Sequence, residues 1–162
     1  MARLYVVPVV GDYVCLTRFG GVLCFPGSRF DVGSVIVDCV NDVLSEFGVE
    51  GVESLREVVV IEGFGDVDVD YARKAVVNPP RVGLHFVFMG EFDRVPSPHF
   101  PDHEVSVYVL CLCREVSGEL IRYGFREILD RFQDLSIEPW SLLLLKVLRA
   151  GYVPKSWLRV LR

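Results

Sequence analysis

Three carboxylates, Asp38, Asp42 and Glu46, recur at intervals of four residues in the chain. On a helix, positions i, i+4 and i+8 stack along one side, where like charges repel by about 0.2–0.5 kcal/mol per pair. A divalent cation would offset that repulsion. Mg²⁺, or Mn²⁺ in its place, suits such a stripe, because a hard ion needs few protein carboxylates when substrate phosphates complete its coordination. Held there, the ion would polarise a pyrophosphate and could activate water for in-line attack. The competing reading of the same spacing is a solvated polar helix face. Asp31, just upstream, is a further carboxylate within reach of that helix.

Other groupings carry less chemistry. Asp66, Asp68 and Asp70 alternate, but they lack the glycine and terminal glutamate of a Ca²⁺ loop and read as a solvated acidic loop. His99, Asp102, His103 and Glu104 gather four potential ligands around Pro101. The proline argues against a helical His-x3-His pair, so the stretch reads as a loop over a pocket. Five cysteines, Cys15, Cys24, Cys39, Cys111 and Cys113, form an odd set within mostly apolar runs and read as buried thiols. No Ser-His-Asp spacing and no phosphate-cradling glycine loop of the Walker type occurs.

The elements that position the stripe can be read from hydrophobic period and turn residues. Residues 4–10, 13–18 and 22–25 read as strands, separated by Gly11-Asp12 and Gly20-Gly21 and closed by Pro26-Gly27. Ser34 is the expected N-cap of a helix reaching Phe47 and stopping at Gly48. Its apolar face carries Ile36, Val37, Cys39, Val40, Val43, Leu44 and Phe47, and its polar face carries the acids. Strands are expected at 56–62, 84–92 and 105–116, and helices at 125–132 and 139–150, with Pro139 in the first turn of the last. The stretches 63–81 and 93–104 read as long loops. Strands around an early helix, followed by late helices, give an α+β layered architecture.

The segment Phe25-Pro26-Gly27-Ser28 through Gly48-Val49 resembles the Nudix box, and the strands before it resemble the pair that enters that box. Aligned from Gly48, Asn41 stands where the family has the box arginine, Asp42 at the first glutamate of the following pair, and Val43 at the aliphatic position. Ser45 and Glu46 fall on the later glutamate pair, Val49 on the last aliphatic position, and Ser28 on the first box glycine. Downstream, the run from His103 to Leu110 resembles the family's central strand, and residues 119–129 resemble the following turn and the start of a late helix. The resemblance implies a Nudix-like α/β/α sandwich with a mixed central sheet, formed by one domain over residues 1–162. It implies catalytic and metal-binding roles for Asp42 and Glu46, with Asp38 as a third metal ligand and Mg²⁺ or Mn²⁺ as cofactor. Arg18 and Arg29 are then the residues to meet substrate phosphate. A later loop acid, Glu91, Asp102 or Glu104, could join them.

Two functions fit this sequence. One is a Nudix-type hydrolase cleaving the pyrophosphate bond of a nucleoside diphosphate linked to another group. The other is a Nudix-fold module without catalysis that binds a nucleotide or a protein partner. The expected ligand in either case is a nucleotide-type small molecule. At 162 residues with 51% hydrophobic and 24% charged residues, the chain is an ordered globular domain. A net charge of −5 gives no support for binding the backbone of nucleic acid. No apolar run approaches the roughly 20 residues that span a bilayer, and no secretory signal pattern is present, so a cytoplasmic protein is expected. Oligomeric state is left open, with a homodimer among the options.

Overall fold

The computed structural model describes residues 2–49, 52–64, 68–70, 75–77, 93–99, 101, 103–116 and 119–151. The strands are β1 (Ala2–Val10), β2 (Tyr13–Phe19), β3 (Val22–Cys24), β4 (Gly27–Phe30), β5 (Val52–Phe64), β6 (Asp68–Asp70), β7 (Ala75–Val77), β8 (His103–Cys113) and β9 (Ile121–Gly124). The helices are α1 (Ile36–Glu46), α2 (Phe125–Arg131) and α3 (Pro139–Arg149). Seven strands form one mixed sheet with the central order β3-β2-β1-β8-β5, in which β4 also pairs with β1 and β9 with β2. The β1–β8 pair is parallel and the other pairs are antiparallel. The expected α+β architecture is therefore present.

Strand alternation sorts the core into two layers. On β1, Leu4 and Val6 join Val105, Val107 and Val109 of β8 beneath the apolar face of α1. Tyr5, Val7 and Val9 face the other way, with Tyr108, Leu110 and the Leu142–Leu145 run of α3. Helices thus cover both faces, which is why β1 and β8 read as near-continuous apolar runs.

One edge of β1 changes partner along its length. Residues Ala2–Tyr5 pair with β4, whereas Val9 and Val10 pair with β2. Val6 N–H donates to the Pro26 carbonyl at 2.7 Å. Pro8, two residues on, would aim at the same edge but has no N–H to give. Its register with Cys111 of β8 on the opposite edge is kept. The two partner strands part at the residue that has no N–H to give to either.

Several expectations need correction. Residues 27–30 form β4 rather than a loop, and Gly27 does not end a strand but begins one. A Cβ there would lie 2.5 Å from the Leu4 carbonyl oxygen and 2.6 Å from Tyr5 Cδ1, so the glycine serves close strand approach. Helix α1 begins at Ile36 with Val35 as N-cap and no side-chain cap, not at Ser34. A backbone strap replaces the cap: Ile36 N–H donates to Asp93 O at 2.9 Å, and Val95 N–H to Ser34 O at 2.8 Å. Val37, expected on the apolar face, lies at its margin and is exposed. The helix ends as expected. Gly48, at φ +66°, donates to Ser45 O and Val49 donates to Leu44 O, the paired bonds of a Schellman motif. Asp68–Asp70 is strand β6, paired with β7, rather than a loop, while Asp66 lies outside the described residues. Residues 121–124 form strand β9 on β2 before α2 begins. The expected strand at 84–92 lies outside the described residues.

Candidate functional site

A cleft of about 240 Å³ opens where β4 and the β2–β3 hairpin diverge. Tyr5 of β1, Gly27 and Arg29 of β4, and Phe19, Cys24 and Phe25 of the hairpin and its exit line it. Glu138, immediately before α3, lines it too. Its place is set by a short parallel pairing with β3: Leu23 N–H donates to Ser136 O at 2.8 Å, and Glu138 N–H donates to Leu23 O at 2.7 Å. Pro139 then starts the helix, and the Glu138 side chain caps it by accepting from Ser141 N–H.

The polar groups of the cleft are interlocked. Tyr5 O–H donates to Glu138 Oε1 at 2.9 Å, and the Tyr5 ring stacks on Tyr108 with centroids 5.3 Å apart. Burial, and then the Glu138 carboxylate, push the Tyr5 hydroxyl far above the ordinary tyrosine range, so it stays a donor. Burial and Glu138 likewise push the Cys24 thiol up to about 12, which removes it as a nucleophile at neutral pH. Arg3 pairs with Glu104, and its guanidinium lies 5.1 Å from the Trp140 ring centroid. Arg29 and Phe19 are exposed, Phe19 by 59%. The cleft thus offers an aromatic rim, a cation and a fixed carboxylate.

The expected site residues are distributed unevenly around it. Arg29 lines the cleft. Arg18 is exposed beside it, and its Nη1 donates to the Gly21 carbonyl at 3.4 Å, within its own hairpin turn. Asp38, Asp42 and Glu46 are all exposed on α1, the layer opposite α3. The last turn of that helix nevertheless meets the rim, because Phe47 touches Phe19. Asp31 is exposed, and its carbonyl accepts from Ser34 N–H. Glu104 is the partner of Arg3, and Glu91 and Asp102 lie outside the described residues. Among the described residues, no three His, Cys, Asp or Glu side chains form a group that could hold a metal ion.

One polar cluster was not foreseen. Glu62, near the end of β5, is buried, with its side chain 3% exposed. Its carboxylate meets His99 Nδ1 at 2.5 Å and His103 Nδ1 at 2.9 Å, and accepts from His99 N–H at 2.6 Å. An ionised carboxylate only accepts, so Glu62 in that form holds each ring through a proton on Nδ1. The His99 bonds hold the far end of the strap whose near end seats α1. The one sequence signal was an acid closing the apolar run Val58–Ile61.

The Cys111 and Cys113 sulfurs are buried 3.6 Å apart. Their mutual hydrogen bond, with burial, pushes the Cys111 thiol far up, which suits packing rather than metal ligation. All five cysteines are buried, and none forms a disulfide. No helix among the described residues is long and apolar enough to cross a membrane. No protein-family model matches the chain, and no curated protein matches its sequence.

Proposed function

We propose that the chain is a Nudix-like domain whose cleft binds a nucleotide-type small molecule. The makeup of the cleft carries this reading: its lining includes an exposed ring, Phe19, an exposed arginine, Arg29, and the carboxylate of Glu138. A base stacks on Phe19, and phosphate meets the Arg29 guanidinium. A cleft of about 240 Å³ is smaller than the roughly 300–1,000 Å³ that encloses a drug-sized ligand, so it takes a base and leaves the phosphates at the rim. The order of strands, early helix, central strand and late helices supports the Nudix-like assignment. Isothermal titration with nucleoside mono- and diphosphates, with and without Mg²⁺, tests the reading. Binding weakened by Arg29→Ala is expected, and no binding by any nucleotide would overturn it.

A second reading, hydrolysis of a pyrophosphate bond, is favoured by a separate observation. Phe47, directly after α1, touches Phe19 at the cleft rim. Glu46 precedes it and Asp42 lies one turn earlier. These two, with Asp38, are the carboxylates the resemblance assigns to Mg²⁺ or Mn²⁺. Their oxygens are of the type a hard cation takes, but the three do not gather into a metal-holding group, so an ion there would rest on one or two of them and on substrate phosphate. When bound, the ion supplies charge neutralisation and water activation. The chain's own part is to stack the base on Phe19 and orient phosphate with Arg29. Metal-dependent turnover abolished by Glu46→Gln supports this reading, whereas binding without turnover leaves the domain a binding module.

A further inference from the structure

The floor of the cleft holds two hydrogen-bond acceptors side by side with capacity to spare. Glu138 Oε2 accepts from Ser141 N–H at 2.9 Å and from the Ser141 hydroxyl at 2.8 Å. That hydroxyl is the donor, because an ionised carboxylate has no proton to give, and Ser141 Oγ in turn accepts from Phe25 N–H at 3.1 Å. Glu138 Oε1 accepts from Tyr5 O–H. A carboxylate oxygen has roughly two lone-pair sites, so Oε1 keeps one open. The Tyr5 proton is committed to Glu138, and its oxygen accepts from no group among the described residues. Oε1 and the Tyr5 oxygen therefore stand 2.9 Å apart, each an acceptor with room for one donor, on residues that both line the cleft.

Both atoms are held in place. Glu138 is fixed by its two bonds to Ser141 and by the backbone pairing with β3. Tyr5 is fixed by its stack on Tyr108 and by Gly27, which leaves no space above its Cδ1. Acceptors that cannot turn away select a ligand with matching donors and reject one that sets a lone pair against them.

We propose that this pair reads the donor–donor edge of a guanine base, taking N1–H and the 2-amino group on Glu138 Oε1 and the Tyr5 oxygen. The inference rests on the nucleotide reading of the same cleft and adds which base it takes. Guanine presents two adjacent N–H donors on its pairing edge. Adenine and cytosine place an acceptor beside their amino group, and uracil flanks its one donor with carbonyls. Each of these would point a lone pair at a carboxylate or at a phenol whose proton is already used.

Isothermal titration of the whole chain with GMP, IMP, AMP and UMP tests the assignment. IMP keeps the guanine ring and N1–H but lacks the 2-amino donor. GMP is expected to bind roughly tenfold tighter than IMP, the effect of one hydrogen bond in such a site, and tighter still than AMP or UMP. Glu138→Gln and Tyr5→Phe are each expected to shrink the GMP preference, with thermal melting checking that each variant folds. If either does not fold, the GMP-to-IMP ratio on the unaltered protein still decides. Equal affinity for GMP and AMP, or for GMP and IMP, overturns the guanine assignment and leaves nucleotide binding standing. No affinity for any nucleotide overturns both.

Discussion

The rings of Phe19 and Phe47 meet edge to face, with centroids 6.1 Å apart and planes inclined by 83°. Phe19 lines the cleft, whereas Phe47 is buried in the layer beneath α1. The contact ties the end of α1 to the rim of the cleft. Phe19→Ala is expected to weaken nucleotide binding by about 1–3 kcal/mol, the range for one base–aromatic stack. Its cost to stability is expected to be only the edge contact, about 0.5–1.5 kcal/mol. Titration calorimetry and urea unfolding on the same variant separate the two, and full affinity in Phe19→Ala would remove the ring from the site.

Gly27→Ala is expected to destabilise the fold by about 1–3 kcal/mol, because the added methyl meets the Leu4 carbonyl oxygen, which cannot move without disturbing β1. The same methyl presses on Tyr5, so ligand affinity falls as well. A shift in the urea midpoint checks the first effect and calorimetry the second. A variant as stable as the original would show that β4 does not approach β1 this closely.

Glu62→Ala removes the acceptor for three donors, two from His99 and one from His103. The expected loss is about 1.5–3 kcal/mol, as for a hydrogen bond to a charged group. Because the strap seats the first N–H of α1, hydrogen exchange at Ile36 and through 93–99 should accelerate more than exchange in α3. Uniform acceleration across the chain would argue that the strap and helix do not open together.

The buried thiols make stability depend on alkaline pH. Burial raises Cys15 to about 11 and Cys24 to about 12, above the ordinary thiol value they regain on unfolding. Between that ordinary value and these raised ones, the unfolded chain has lost protons that the folded chain keeps. The unfolding free energy is therefore full below about pH 8.5 and falls as pH rises toward 11. Urea denaturation across that window measures the slope. Cys24→Ala is expected to flatten its share, and an unchanged slope in both Cys15→Ala and Cys24→Ala would contradict the account.

How much of this was legible in the sequence differs by element. Helix α1 could be read because its signals are local: an apolar face at helical spacing, and Gly48 where a left-handed residue must end it. Strand β4 could not. Gly27-Ser28-Arg29-Phe30 shows no apolar alternation, and its hydrogen bonds go to β1, more than twenty residues earlier. Pro26-Gly27 has the composition of a turn, yet the glycine is needed because Tyr5 lies against it. The same holds for Glu62. In sequence it marks the end of an apolar run, and its partners stand 37 and 41 residues downstream, beyond any local pattern. Arg29 was named as a phosphate contact and lines the cleft, whereas Glu138 and Tyr5 went unnoticed. Their pairing across 133 residues exists only once β3 has drawn the start of α3 to it.

Pro8 marks the place where β1 passes from one partner strand to the other. Because it offers no hydrogen to the edge it faces, β2 and β4 cannot be zipped into one unbroken ladder along β1, whatever occupies the space between them. The gap is a property of the empty protein. A ligand entering it need not prise strands apart or freeze a wandering loop, so little of its intrinsic attraction is consumed in reorganising the host. Association at such a preorganised recess is expected to be fast, with differences between ligands appearing mainly in how long each one stays.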